Sequence, residues 1–389
     1  MTQLFTGYIE GYYGRLLEWQ DRDRLLDGLE AAGMTSYFYA PKDDACQRQF
    51  WRQTHDAAWR RAFTRFAGKA ATKDIQIIAG ISPGLDFDYA SLDQANDAGG
   101  DFTILLNKAL MLLADGASFI ALLMDDIAAD FERRAGSFAS EGTAHAVLTN
   151  RLGAAIDVPI ILVPRIYADS LVTSDDSQSK TYLKDLARDL EPHHRVVYCG
   201  DDIVAVQPRN DKDGCLNPSA VIIWDNFYAN DYCPRRLFLG PWRAVKLPDV
   251  MLNPTGMLET DLLLLDLMSL LKNKGQKNED YLRPEHLASW RKAISKRGVP
   301  EAFFVISYYL DAPSGFPVNF VRPSSDDALA ALEILLWRWK APLQREWYGC
   351  LMGLKQDILL SEGRLSSERL EKTQLQPLVS RVNSLKVNS

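Results

Sequence analysis

Cysteine is scarce in this chain and scattered. Cys46, Cys199, Cys215, Cys233 and Cys350 are odd in number and lack any C-x-x-C spacing, which excludes a disulfide framework or a zinc knuckle and leaves reduced thiols. Long hydrophobic runs are missing too. No apolar stretch approaches the ~18 residues of a membrane span, and the opening Met-Thr-Gln-Leu-Phe-Thr has neither the charged nor the apolar region of a secretory leader. A cytoplasmic protein without a membrane partner is expected. Positive charge is in deficit: 44 Lys and Arg stand against 51 Asp and Glu, for a net charge of −7 and a pI near 5.4. Such a chain offers a polyanion no basic field, so nucleic acid is excluded as a partner. There is no Gly-x-x-x-x-Gly-Lys-Ser/Thr for phosphate, no internal repeat and no low-complexity segment.

What the chain has is a beat of short apolar runs. With 389 residues and 47% hydrophobic content it can fill the core of a barrel-sized domain and a smaller one. The centre of the pattern is Phe119–Asp126, Phe-Ile-Ala-Leu-Leu-Met-Asp-Asp, an apolar run of strand length ending in two carboxylates. A run so short and so apolar reads as a strand buried on both faces, as in a parallel sheet. An isolated Asp-Asp pair would ordinarily cap the next helix, but in parallel α/β folds the strand ends also build the active crevice. Similar runs stand at Thr6–Ile9, Ser36–Ala40, Gln76–Ile81, Pro159–Val163, Arg195–Cys199, Ala220–Ile223 and Val250–Leu252, separated by helical patterns such as Trp19–Ala32, Leu105–Leu113, Thr143–Leu152 and Thr260–Lys274. Eight strand-then-helix units about 30 residues apart predict a (β/α)₈ barrel over residues 1–275. The polar stretch Gly275–Asp280 ends the alternation, and residues 276–389 read as a smaller helical domain. There Ser324–Asp327 resembles an N-cap, and Leu329, Leu332, Leu336 and Trp339 form an apolar stripe.

A barrel gathers its strand ends at one mouth. The polar residues there are Glu10, Lys42 with Asp43 and Asp44, Ser82, Asp125 with Asp126, Tyr167, Asp201 with Asp202, Asn226 and Asn253. The seventh loop, Trp224–Tyr232, mixes aromatics with amides and carboxylates, a composition suited to a sugar, whose ring faces stack while its hydroxyls need donors and acceptors. Metal chemistry fits less well. Asp43-Asp44 and Asp125-Asp126 could hold Mg²⁺, but Lys42 would sit beside the ion, and His55, His145, His193 and His194 are away from the strand ends and read as surface or helix-packing residues. No cofactor and no catalytic metal are expected.

Gly7–Gly14, Tyr39–Asp44, Leu122–Ile127, Ala144–Ala146 and Trp224–Tyr232, in this order, resemble the motifs of glycoside hydrolase family 84, which contains the O-GlcNAcases and enzymes historically called hyaluronidases. The resemblance covers residues 5–275. It implies an exo-acting β-N-acetylglucosaminidase that retains configuration, the 2-acetamido group of the substrate attacking in place of an enzyme nucleophile through an oxazoline intermediate. By family position Asp125 accepts the acetamide N–H and Asp126 is the general acid and then base. Gly7, Lys42, Asn226, Asp231 and Asn253 bind the sugar's hydroxyls and acetamide, Asp231 taking O4 and O6. Tyr167 orients the acetamide and Trp224 forms a pocket wall. Two departures from the family pattern stand out: Pro164-Arg165-Ile166-Tyr167 replaces Pro-Thr-Glu-Tyr, and Tyr198-Cys199-Gly200 followed by Asp201-Asp202 replaces Trp-Thr-Gly. Two adjacent carboxylates also resist double ionisation, which is expected to raise one apparent pKa and keep an acid protonated near neutral pH. The partner implied is a terminal β-linked N-acetylglucosamine on a protein or glycan, and a homo-oligomer stays open. The rivals are a catalytically silent N-acetylglucosamine-binding barrel and a metal-assisted hydrolase built on the Asp pairs. Internal cleavage of hyaluronan fits poorly, since a polyanion prefers a basic groove.

Overall fold

Every one of the eight apolar runs is a strand, and each pairs in parallel with the next. The computed structural model describes residues 4–92, 99–206, 208–234, 236–240, 248–272, 284–310 and 320–365. Strands β1 (Thr6–Glu10), β2 (Ser36–Tyr39), β3 (Gln76–Ile81), β4 (Phe119–Leu123), β5 (Ile161–Val163), β6 (Arg195–Tyr198), β7 (Val221–Asp225) and β8 (Val250–Leu252) follow one another around a closed barrel, with β8 returning to β1. This is a (β/α)₈ fold.

Strand periodicity decides what each residue faces. Ile9, Phe38, Ile78, Ala121, Leu123, Ile161, Val163, Val197, Ile222, Trp224 and Met251 share one interior cluster, while their neighbours lie on the opposite face of the sheet. Outside, Tyr8 stacks on Tyr37 at 5.4 Å, and Tyr37 meets Phe66 edge-on at 5.1 Å. The outer helices are α1 (Trp19–Ala31), α2 (Ala57–Ala71), α3 (Asp101–Ala114), α4 (Glu141–Ile156), α5 (Ser177–Asp189) and α6 (Leu258–Lys272). In α1, Leu25, Leu26 and Leu29 are fully buried, an apolar face at helical spacing.

The regular beat breaks on one side. Among the described residues no α-helix follows β6 or β7, contrary to the strict strand-then-helix expectation. After β6 the chain turns repeatedly instead: Gly200 and Gly214 take φ of +134° and +64°, conformations closed to a helix. The Asp211 carboxylate accepts the N–H groups of Cys215 (2.7 Å) and Leu216 (3.0 Å), doing locally what helical bonds would have done.

The chain divides into two compact units, the barrel unit (Met1–Tyr232, Pro241–Ala293, Pro313–Phe316) and a second one (Cys233–Gly240, Ile294–Ala312, Pro317–Ser389). Following α7 (Pro284–Lys296), the second unit holds α8 (Ala302–Ile306), α9 (Ser325–Glu333) and α10 (Pro342–Ser361). Ser324 caps α9, its hydroxyl accepting from Asp327 N–H at 3.1 Å. Phe303, Trp339 and Trp347 pack at 5.4 Å spacings with Leu332 and Leu336 also buried. The expected domain boundary at 275/276 lies outside the described residues.

Candidate active site

Strand periodicity, carried one or two residues past the strand ends, builds the mouth. Asp125 continues the inward series of Ala121 and Leu123, Asn226 that of Ile222 and Trp224, Asn253 that of Met251, Lys42 that of Phe38 and Ala40, and Gly11 that of Ile9. These residues, drawn from positions 11 to 253, line one cavity of about 470 Å³ together with Asp126, Tyr167, Trp224 and Asp231.

Asp126 breaks the alternation. Its φ of +53° is a left-handed conformation that a non-glycine residue seldom takes. That single turn brings it into the same cavity as Asp125 instead of behind the barrel wall. Arg48 holds the twisted backbone, donating to the Asp126 carbonyl at 2.9 Å and to that of Asp125 at 3.5 Å. The two side chains are treated differently. Asp125 is buried, with Oδ2 on the Lys42 ammonium and Oδ1 enclosed without a hydrogen-bond partner among the described residues. Asp126 is a third exposed and accepts the hydroxyls of Tyr13 and Tyr167, each at 2.8 Å, with Lys42 3.9 Å away. Burial pushes the Asp126 carboxyl up, but Lys42, then Tyr167, Tyr13 and Arg48, outweigh it and hold the group below the usual aspartate range. The expectation that one carboxyl of the pair is raised therefore does not hold for Asp126, the proposed acid: the Lys42 ammonium lies close to both carboxylates and favours the charged form of Asp126.

The opposite wall is an amide network. Asn226 Oδ1 accepts from Trp224 Nε1 at 2.9 Å and from Asn253 Nδ2 at 2.8 Å, while Asn253 Oδ1 accepts the Gly11 N–H at 3.2 Å. Asn226 Nδ2 donates to the Ile203 carbonyl at 2.9 Å. Asp231 Oδ2 accepts the Tyr13 N–H at 2.9 Å, so the glycine-rich loop after β1 touches both Asp231 and Asp126. The apolar part of the wall is Val163, Val197, Cys199 and Ile203. Burial, then Asp225, Asp125 and Asp126, push the Cys199 thiol well above its ordinary range, so it stays a thiol.

Not every expected residue reaches the mouth. Gly7 sits inside β1, where a Cβ would lie 1.8 Å from the Ser36 carbonyl oxygen; Gly11, two periods of the alternation further on, lines the cavity instead. Glu10 points outward and is fully buried, paired with Arg22 at 2.7 Å and accepting the Tyr37 hydroxyl at 2.7 Å. Asp44 likewise bonds Tyr39 on the helix side, at 2.6 Å. Ser82 is tied to Gln47 at 2.9 Å, and of Asp201 and Asp202 only Asp202 lines the cavity. Arg165, one of the departures from the family pattern, is turned away from the cavity onto Glu141 (2.6 Å) and Asp176 (2.7 Å). Sequence reasoning missed Gly11, Tyr13, Arg48 and Cys199. Alternation would have found Gly11 and Cys199, whereas nothing local marks Arg48.

Comparison with known proteins falls on the same region. The sequence profile of a β-N-acetylglucosaminidase family matches residues 6–260. The Protein O-GlcNAcase of Mus musculus and that of Rattus norvegicus are each 30% identical over 264 residues, covering 64% of this chain and 28% of theirs. The chain thus spans under a third of the length of these curated relatives. Among solved structures, a mutant O-GlcNAc hydrolase of Thermobaculum terrenum aligns with a TM-score of 0.73 at 20% identity, over 95% of this chain and 87% of that one, a likeness of fold.

Proposed function

The chain belongs to the β-N-acetylglucosaminidase family, and from that premise we propose that it is an exo-acting, retaining hydrolase of terminal β-linked N-acetylglucosamine on a protein or glycan. The observation that carries the reading is Asp125 Oδ1, a buried carboxylate oxygen facing a sugar-sized cavity with no donor of its own. Leaving such an acceptor unpaired costs about 1–3 kcal/mol or more. An acetamide N–H is the donor that would relieve it, while Lys42 fixes the other oxygen and so the orientation of the carboxylate.

In the first step the acetamide oxygen attacks the anomeric carbon, the bond to the leaving oxygen breaks, and Asp126 delivers its proton to that oxygen. Asp125 stabilises the positive charge on the forming oxazolinium ring. In the second step Asp126 takes a proton from water as the water opens the ring, restoring the original configuration. The depressed Asp126 carboxyl of the free pocket suits the base of the second step. For the first step the bound sugar must displace water around it and shift it upward. Asp231, Asn226 and Asn253 would bind the ring hydroxyls, Tyr167 and the apolar wall the acetamide, and Asp231 would set the exo specificity by closing on the non-reducing end.

Hydrolysis of an aryl β-N-acetylglucosaminide, followed by NMR, tests the reading. The β anomer should form first, and an oxazoline-mimicking thiazoline should inhibit. First release of the α anomer would overturn the retaining mechanism, and folded protein that binds the sugar without turning it over would leave the silent binding barrel in its place.

A further inference from the structure

The loop after β2 carries a second group of chemistry-bearing side chains, which the proposed reaction does not use. Asp44, Cys46 and His55 present a carboxylate oxygen, a thiol sulfur and an imidazole nitrogen that all lie within 4.8 Å of one another. Asp44 and His55 are more than nine-tenths buried, at 7% and 8% exposed, whereas Cys46 is half-buried and gives the group an opening to solvent.

Hydrogen bonding alone accounts for Asp44. Its Oδ1 accepts the N–H groups of Cys46 (3.0 Å) and Gln47 (3.2 Å), its Oδ2 accepts the Tyr39 hydroxyl (2.6 Å), and His55 Nε2 stands 2.9 Å from Oδ2. It accounts for His55 only at Nε2, and hardly at all for Cys46. Among the described residues, His55 Nδ1 is buried with no hydrogen-bond partner, and the Cys46 sulfur meets only the Thr54 carbonyl, at 3.9 Å. The arrangement is nevertheless rigid. The His55 ring stacks on Trp59 at 3.5 Å, and Lys108 reaches in from α3 to donate to the carbonyls of Cys46, Trp51 (2.9 Å) and Gln53 (2.6 Å). Lys108 thereby clasps the segment between Cys46 and His55, holding the ends together with its ammonium committed to backbone oxygens.

We propose that Asp44, Cys46 and His55 form a site for one divalent cation of the zinc class, with the fourth position left to water. Zinc takes these three donor types, and bond lengths of about 2.0 Å to N or O and 2.3 Å to S set tetrahedral ligands roughly 3.3–3.5 Å apart. His55 Nε2 and Asp44 Oδ2, 2.9 Å apart, need to separate by only a few tenths of an ångström, and the partly exposed Cys46 side chain, within 4.8 Å of both, closes the remainder. On binding, Cys46 enters as the thiolate and its proton passes to solvent, as does the proton shared between His55 and Asp44 if the coordinating nitrogen carries it. The site is separate from the catalytic pair, so it stands whether or not the proposed hydrolysis does.

Cobalt(II) is the probe. Full-length protein, reduced and stripped with a chelator, should develop a near-ultraviolet thiolate-to-cobalt band and the strong visible bands of tetrahedral cobalt, saturating at a single equivalent and displaced by zinc. Cys46→Ser should abolish the ultraviolet band, Cys350→Ser should keep it, and His55→Gln should weaken binding by about tenfold or more. The cluster of Glu191, His193 and His194 has no sulfur and cannot produce the thiolate band. Absence of the band in the unmodified protein, or its survival in Cys46→Ser, would overturn the proposal. Cys46 is half-buried and the serine nearly isosteric, so loss of fold, checked by circular dichroism, does not obscure the result.

Discussion

Asp125 and Asp126 are adjacent in sequence and alike in chemistry, yet the structure gives them unlike surroundings. Asp125 is buried and clamped by Lys42, and Asp126 is turned by a left-handed backbone and held by two tyrosine hydroxyls. Under the proposed mechanism this difference has a kinetic signature. A general acid matters most for a poor leaving group, since a good one departs without a proton. Asp126→Asn should therefore spare much of the first step on a dinitrophenyl glycoside and cripple it on an ordinary sugar or serine glycoside. Asp125→Asn should slow the first step for all leaving groups alike. Single-turnover rates plotted against leaving-group pKa separate the two, and reversed slopes would mean that the roles are exchanged. Tyr167 gives a second residue-level prediction. Its hydroxyl stabilises the charged form of Asp126 and so lowers that carboxyl, after Lys42. Tyr167→Phe removes the stabilisation, the Asp126 carboxyl rises, and the alkaline limb of the pH–rate profile, where the acid loses its proton, should move to higher pH. A limb that stays in place or moves down would show that Tyr167 does not act through Asp126.

At the scale of single strands, alternation sorts functional from structural polar residues. Five inward series run on into a residue of the cavity: Ile9 then Gly11, Ala40 then Lys42, Leu123 then Asp125, Trp224 then Asn226, Met251 then Asn253; those of β3 and β5 do not, since Ser82 and Arg165 are bonded elsewhere. The off-parity acids Glu10 and Asp225 are satisfied away from the cavity, by Arg22 and by the Phe227 N–H, whereas Asp44 shares the parity of Lys42 but lies beyond the strand end, where it bonds Tyr39. This much was legible in the chain, since the apolar runs and their period of two are local properties. Depth along the barrel was not, and it is what separates Gly7 from Gly11, which share a parity. Nor was the sign of φ at Asp126, which depends on Arg48 arriving from another loop. Two substitutions put depth to the test. In Gly7→Ala the new Cβ would meet the Ser36 backbone at 1.8 Å, which a packed strand cannot relieve, so the barrel should lose about 3 kcal/mol or more of stability. In Gly11→Ala it would press on the Trp224 ring at 2.3 Å and on the indole that orients Asn226, so kcat/KM should fall with a smaller loss of stability. Melting curves beside activity of the folded fraction check both. A Gly7→Ala protein that melts like the unmodified one but is inactive would return Gly7 to the binding residues.

For the whole molecule, closure of the barrel brings Gly11 into hydrogen-bond reach of Asn253, and the eight regular beats were enough to expect that ring. That no helix follows β6 among the described residues was harder to see, because a turn-rich connection and a helix separate two strands equally well in sequence. The same closure buries ionisable groups whose effect is on stability. His145, expected to be at the surface or in helix packing, lies wholly inside between α4 and α5, Nδ1 on the Tyr182 hydroxyl at 2.5 Å and Nε2 without a partner. Burial, then Arg165 and Arg134, push it down to about 3, and burial, then His193, push His194 down to about 4. In the unfolded chain both titrate near 6.5. Between those values and 6.5 the unfolded state binds protons that the native state refuses, so stability must fall as pH falls. From pH 7 to pH 5 each histidine should cost about 2 kcal/mol. Glu141, raised by burial against the pull of Arg165, works in the opposite direction between its raised value and the ordinary glutamate range, and offsets part of that loss. Urea unfolding at pH 7 and pH 5 measures the sum. The unmodified protein should lose stability on acidification, and His145→Gln, whatever its starting stability, should lose about half as much. Equal losses in the two proteins would mean that His145 takes up its proton in the native fold as readily as in the unfolded chain, and that the α4–α5 interior is not as closed as its packing implies.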